Sequence, residues 1–209
     1  SSAFLSDYRA GVDSIIPVLF QSGYLTIKGY DKEYKMYLLG FPNEEVRYGF
    51  LYNLLPEYSN ISFTNTSFNV VQFTKDLRAG KIDEFMQRLK SIMASLPYDN
   101  IKKDSDESLA LREHNFQVCI YLVFALMGQF VEVETPSSAG RTDCLVKTEK
   151  AIYIFEFKLK ESAEDALKQI KEKNYAERYK AENKNIVLIG VSFDPEEKTV
   201  KEWISETLT

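Results

Sequence analysis

Apolar and polar residues follow two periods along this chain, and the switches between them predict its elements. A first helix is predicted from Asp7 to about Gln21, ended by Ser22-Gly23. Tyr24–Lys28 and Lys35–Phe41 read as two strands of a hairpin that turns through Gly29 to Lys32. Pro42-Asn43 stops the second strand. Asn43 suits the N-cap of a helix from Glu44 to Leu55, whose first turn carries Glu44 and Glu45 at the positive end of the helix dipole. Two more helices are predicted, about Asn69–Ala79 and Ile82–Ser95. In the latter, Ile82, Phe85, Met86, Leu89 and Met93 share a core face.

The stretch from Leu96 to Glu107 has a proline, turn formers and charges but no apolar period, so it reads as a linker. It divides the expected organisation into a helical and hairpin region over 1–100, winged-helix-like in its helix–hairpin–helix order, and a second domain over 101–209. The second domain is predicted as a helix from Asp106 to Met127, strands at Phe130–Glu134, Thr142–Lys147 and Ala151–Leu159, a helix from Ser162 to about Lys180, and a strand at Asn185–Phe193. The tail from Thr199 to Glu206 is ambiguous. The order αβββαβ makes this part an α/β sandwich around a mixed sheet, within a chain that is α+β overall.

The strand Ala151–Leu159 carries unusual charges. Side chains alternate between the faces of a strand, so Tyr153, Phe155, Phe157 and Leu159 form one core face. Ile152, Ile154, Glu156 and Lys158 form the other. Two isoleucines on that second face predict burial on both sides, with Glu156 and Lys158 together at the carboxy-terminal end. A buried charge is costly unless it is paired or bound to a metal. The competing reading is that the strand simply runs out into solvent at Glu156.

Three other segments converge on that strand end. Gly140-Arg-Thr-Asp143 precedes it, and a hairpin through Thr148–Lys150 brings the Asp143 carboxylate near Glu156, depending on register. Aspartate followed by Glu-x-Lys on an adjoining strand is a way to grip a hard cation with oxygen ligands. Asp143 also suits an ordinary turn. On the long helix, Leu109, Phe116, Ile120, Phe124 and Met127 form one stripe with Glu113 in its middle, whereas His114 projects elsewhere and reads as a surface residue. Glu113 is either salt-bridged there or part of a site. On the following helix, Ala163, Leu167 and Ile170 face the sheet and Gln169 lies at the edge of that side. Tyr175 shares its pocket only if the helix bends or ends early.

Bulk properties narrow the picture further. The chain has 209 residues, 26 Lys and Arg against 31 Asp and Glu, and a formal charge of -5. That balance lacks the broad basic face of a constitutive nucleic-acid binder, but it suits an enzyme with carboxylates in its site. Cys119 and Cys144 form no CxxC pair, and the single histidine, His114, cannot complete a zinc site with them. No disulfide is favoured, and a reducing cytoplasm is expected. No apolar run is long enough for a membrane span, and no signal peptide is visible.

Glu113, Gly140-Arg-Thr-Asp143, Ile154-Phe-Glu-Phe-Lys-Leu159 and Ala166-Leu-Lys-Gln-Ile170 with Tyr175-Ala176, in this order, resemble the PD-(D/E)XK nuclease superfamily. The resemblance looks closest to the branch that forms the C-terminal domain of predicted AAA-ATPase-like proteins. Phe20–Ile27 and Gly40–Val46 resemble that branch's segment between ATPase and nuclease, so nearly the whole chain is covered. Thr142 stands where the motif's name expects proline, a position at which that proline is often absent. No GxxxxGK[ST] loop exists here, so an ATPase domain would have to lie upstream.

The resemblance implies a restriction-endonuclease-like core and Mg²⁺- or Mn²⁺-dependent hydrolysis of nucleic-acid phosphodiesters, DNA more than RNA. It implies metal binding by Asp143, Glu156 and the main-chain carbonyl of Phe157, with Glu113 as an outer ligand. Lys158 would act on the attacking water and the phosphate, and Gln169, with Tyr175, would steady the site or touch the nucleic-acid backbone. Two alternatives stay open: a catalytically silent or ATPase-dependent nucleic-acid-binding module of the same fold, and an interaction domain that forms a homodimer.

Overall fold

The computed structural model describes residues 15–59, 62–95, 106–134, 144–194, 196–197 and 199–208. Of helical residues 63, 64 and 106–113 it describes the backbone alone. The chain forms two compact units, Ser1–Leu51 and Tyr52–Thr209.

In the first unit a short helix, α1 (Ile16–Gln21), leads into an antiparallel hairpin of β1 (Thr26–Asp31) and β2 (Met36–Gly40). The chain leaves α1 through Gly23 at φ +83°, a left-handed conformation that glycine adopts without strain. Asn43 caps the next helix, α2 (Glu44–Tyr58), as its position predicts: its Oδ1 accepts from the Val46 amide at 2.8 Å. Phe50 of α2 packs against Tyr24 and Phe41, with ring centroids 5.4 and 5.5 Å apart. The helix–hairpin–helix order read from the sequence is therefore present. α2 runs past its expected end at Leu55 and contains Pro56. A proline costs a helix one amide bond. Here the next residue but two closes the final turn, since both the amide and the hydroxyl of Ser59 donate to the Leu55 carbonyl, at 2.9 and 2.6 Å.

The second unit is built on a five-stranded mixed sheet in the order β3 (Glu132–Glu134), β4 (Cys144–Lys147), β5 (Ala151–Leu159), β6 (Asn185–Asp194), β7 (Thr199–Leu208). Among these described strands only β5 and β6 run parallel. The crossover between them is α6 (Ala163–Glu172) and a 3₁₀ turn (Glu177–Glu182). Among the described residues of this unit, the helices α3 (Phe63–Arg78), α4 (Ile82–Ala94) and α5 (Asp106–Met127) precede the sheet. Helices α3 and α4, read from the sequence with the first part, thus lie in the same compact unit as the sheet. Phe73 of α3 meets Phe85 of α4 at 4.9 Å, and Phe85 meets Phe155 of β5 at 5.4 Å.

The β5 alternation builds a core on each side. Towards the three helices, Phe155 and Phe157 stack on each other and meet Phe124 of α5 edge to face, and Phe193 of β6 joins Phe157 to Phe116. Each buried phenyl contributes about 1.5–3 kcal/mol of transfer free energy. On the other side Leu145, Ile152, Ile154, Ile186 and Leu188 pack under Leu167 and Ile170 of α6 and Tyr179 of the 3₁₀ turn.

Three expectations are corrected. The stripe on α5 is too narrow: every residue from Leu122 to Met127 is buried, because its last turns have neighbours all round. Helix α3 begins at Phe63, earlier than Asn69. The helix expected to reach Lys180 stops at Glu172, because Asn174 takes a left-handed φ of +52°, a helix-ending conformation that asparagine tolerates. The ambiguous tail is the edge strand β7. Among the described residues no helix is long and apolar enough to cross a membrane.

Candidate active site

Strand β5 is buried from Ala151 to Phe157 and becomes half-buried at Lys158 and Leu159. This is the double burial that its two isoleucines predict. Glu156 is 3% exposed, deep among apolar neighbours. Its side chain and that of Lys158 lie on the α6 side, where the Lys158 ammonium stands 3.6 Å from Glu156 Oε1.

Gln169 joins the two. Its Oε1 accepts from Lys158 Nζ at 2.5 Å, and its Nε2 donates to Glu156 Oε1. An amide is suited to this because it offers an acceptor and a donor on one planar group. The carboxylate, the amide and the ammonium therefore hold one another in a closed set at the end of a rigid strand. The sequence placed Gln169 at the margin of the sheet-facing side of α6, and the structure brings it to the strand end.

Gln169 reaches this position because α6 lies directly on the sheet. Its N-terminus is a capping box. Ser162 Oγ accepts from the Asp165 amide at 3.1 Å, and the Asp165 carboxylate accepts from the Ser162 amide at 3.2 Å and from its hydroxyl at 2.6 Å. The Ser162 hydroxyl, then its amide, hold the Asp165 carboxyl below its ordinary range, with Lys168 and Lys158 adding attraction. Glu202 of β7 also accepts from the Ala163 amide at 3.3 Å. Under the helix lies Gly190, the β6 partner of Glu156. A Cβ there would come within 2.2 Å of the Ala163 carbonyl oxygen and 2.7 Å of the Leu167 nitrogen. The missing side chain sets how closely α6, and Gln169 with it, approaches Glu156. Sequence reasoning missed Gly190. A lone glycine inside the run Ile189–Val191 was the available signal.

It also missed Glu161 and Ser192. Glu161 follows β5 and places Oε2 3.2 Å from Lys158 Nζ. Ser192, buried beside Lys158 on β6, donates its hydroxyl to the Glu161 carbonyl at 2.6 Å and so pins the β5–α6 connection.

Asp143 lies outside the described residues. It immediately precedes Cys144, whose partner across the β4–β5 hairpin is Phe155, the sequence neighbour of Glu156. Glu113 is in α5, with its side chain outside the described set, and His114 is exposed as expected. Tyr175 is not on the helix with Gln169. It packs half-buried against the core cluster under α6, with Lys173 over its ring at 5.5 Å. Both cysteines are buried and unbridged, and burial pushes the Cys119 thiol up to about 12.

Among the described residues no three His, Cys, Asp or Glu side chains converge on a metal position. The donors at the β5 end are nevertheless oxygen donors, the Glu156 carboxylate and the Phe157 carbonyl, in the sequence vicinity of a second carboxylate at Asp143. That chemistry fits a hard divalent cation and does not fit zinc in a sulfur or imidazole site.

Comparison with known proteins agrees with this geometry. A family model for the PD-(D/E)XK nuclease superfamily matches residues 111–203, the span from α5 into β7. An uncharacterized protein in the vnfD 5′ region of Azotobacter chroococcum mcd 1 is 31% identical over 216 residues. All of this chain is covered in that comparison, but the chain spans 40% of the relative's length. No solved structure matches significantly. With its mixed five-stranded sheet and its Glu-x-Lys strand, the segment 111–203 of this chain belongs to the PD-(D/E)XK nuclease superfamily.

Proposed function

We propose that this chain hydrolyses phosphodiester bonds of nucleic acid, DNA in preference to RNA, with Mg²⁺ or Mn²⁺ bound at the end of β5. The observation that carries the reading is the locked set of Glu156, Gln169 and Lys158 on a strand buried on both faces. Asp143, Glu156 and the Phe157 carbonyl would hold the metal, with Glu113 as an outer ligand. When bound, the metal supplies an acidified water and neutralises charge on the phosphate. The rest is the work of the chain. Lys158 places a positive charge against the phosphate oxygens where negative charge builds, and it orients the attacking water. Gln169 keeps Glu156 and Lys158 in register, so neither needs to reorganise when substrate arrives.

The test is cleavage of plasmid, linear and single-stranded DNA and of RNA with Mg²⁺, with Mn²⁺ and with EDTA, by the chain and its Lys158→Ala variant. We expect metal-dependent cleavage that falls by roughly 10²–10³ in the variant, the scale of one lost electrostatic contact. Metal-dependent cleavage that survives Lys158→Ala at full rate would sink the assignment.

One further reading has specific support. The formal charge of -5 and the span of 40% of the Azotobacter relative favour a module that binds or cuts only with the rest of a longer protein, in which an upstream AAA-ATPase-like domain is the expected partner. Cleavage by the full-length protein but not by this chain would select it. Two buried unbridged thiols suit action in a reducing cytoplasm.

A further inference from the structure

The Lys158 ammonium has three N–H donors, and among the described residues three side-chain oxygens stand near it. Gln169 Oε1 lies at 2.5 Å, Glu161 Oε2 at 3.2 Å and Glu156 Oε1 at 3.6 Å. The first accepts a hydrogen bond and the two carboxylates are ion-pair contacts, so a phosphate oxygen competes with the carboxylates for the positive charge. Gln169 is tied to Glu156 by its own amide, and the Glu156 side chain is only 4% exposed. The Glu161 side chain is 58% exposed. Its backbone is anchored by the bond from Ser192 Oγ to its carbonyl and by its place between Lys160, at φ +75°, and the capping residue Ser162. The Glu161 carboxylate can thus swing away by side-chain rotation alone and regain rotamer freedom as it does. Among the described residues Asp165 is a further nearby carboxylate, and the Ser162 capping box already holds it.

We propose that Glu161 is a displaceable counterion for Lys158. It compensates the exposed side of the ammonium until a phosphodiester of the substrate takes its seat, and it sets a threshold on binding, while Gln169 holds the orientation. The proposal rests on the reading of Lys158 as the phosphate-contacting group. Removing the Glu161 charge leaves Lys158 oriented by Gln169 but leaves more of its positive charge uncompensated, so phosphodiester binding tightens while the chemical step is unchanged.

The experiment uses a fluorescently labelled DNA oligonucleotide. Anisotropy in EDTA reads binding without cleavage, and kcat and KM are measured separately in Mg²⁺ and Mn²⁺. Glu161→Gln should bind roughly five-fold more tightly, the scale of one partly exposed ion pair. It should lower KM by a similar factor and leave kcat within about two-fold. The gain should vanish in the Lys158→Ala background. It should also be absent from Glu177→Gln, which removes the same charge from the 3₁₀ turn. Equal tightening by Glu177→Gln or in the Lys158→Ala background would overturn the proposal in favour of net charge. No tightening, or no measurable binding by any variant, would overturn it outright. The two readings fail separately. Absence of cleavage with a Lys158-dependent gain in binding removes the nuclease and keeps the counterion. Cleavage with unchanged binding does the reverse.

Discussion

Replacing Gly190 by alanine tests whether α6 is seated by the missing side chain. Two effects oppose each other. Alanine in an ordinary strand position favours folding by about 0.5–1 kcal/mol through lost unfolded-state entropy, and Gly190 has no positive φ to forbid it. Against that, the new Cβ would lie 2.2 Å from the Ala163 oxygen, where ordinary contact begins at 3.4 Å. The shortfall is 3.4 − 2.2 = 1.2 Å. The Leu167 nitrogen at 2.7 Å blocks a sideways escape, and both obstacles are backbone, so no rotamer relieves them. Overpacking of this kind costs about 3 kcal/mol, and the net loss is about 2 kcal/mol. For a unit of this size that lowers Tm by about 4–8 °C. The helix must lift by about 1 Å, enough to separate Gln169 from Glu156, and such a misplacement costs about 10²-fold in rate. Thermal unfolding by circular dichroism and the DNA cleavage assay read the two consequences. A Gly190→Ala protein with unchanged Tm and full activity would refute the claim that this glycine sets the height of α6.

Other expectations follow from single contacts. The Tyr153 hydroxyl donates to the Leu77 carbonyl at 2.7 Å, and Gly80 also bonds that carbonyl. Tyr153→Phe leaves the acceptor satisfied and should cost only about 0.5–1 kcal/mol, measurable by urea unfolding. Hydrogen bonds from Ser162 hold the folded Asp165 carboxyl below its ordinary value of 3.8. Its contribution is therefore present above the unfolded value and lost as pH falls below that region. The Tm gap between wild type and Asp165→Asn should close as pH falls below the ordinary aspartate value of 3.8, and a gap that widens there would contradict the capping role. With both thiols buried and Cys119 pushed up to about 12, a thiol reagent at pH 8 should label neither cysteine in the folded chain and both in denaturant.

Much of this arrangement was legible in the sequence because it rests on local periodicity. The alternation in Ala151–Leu159 alone says that both faces are buried and that Glu156 and Lys158 end up together, since period two leaves no other placement. The limits of α5 and β5 and the cap at Asn43 follow from equally local signals. The end of α6 was legible too, in Asn174, but a continuing helical pattern outweighed one residue that tolerates a left-handed turn. Other features depended on partners remote in sequence. Strand β7 alternates weakly because it is an edge strand, and its pairing with β6 decides its state. Residues from Leu122 to Met127 are buried all round because α3, α4 and the sheet enclose α5, which no single-helix stripe reveals. The bond from Gln169 to Glu156 spans two elements, and its reach depends on the absent side chain of Gly190 on a third. Glu161 is only three residues from Lys158, but the Ser192 bond that anchors its backbone forms only once β5 and β6 lie parallel. Sequence determines which residues share a face, because that is a property of one element's period. Tertiary structure decides how closely the faces approach, because that depends on side chains, and missing ones, contributed by all of them.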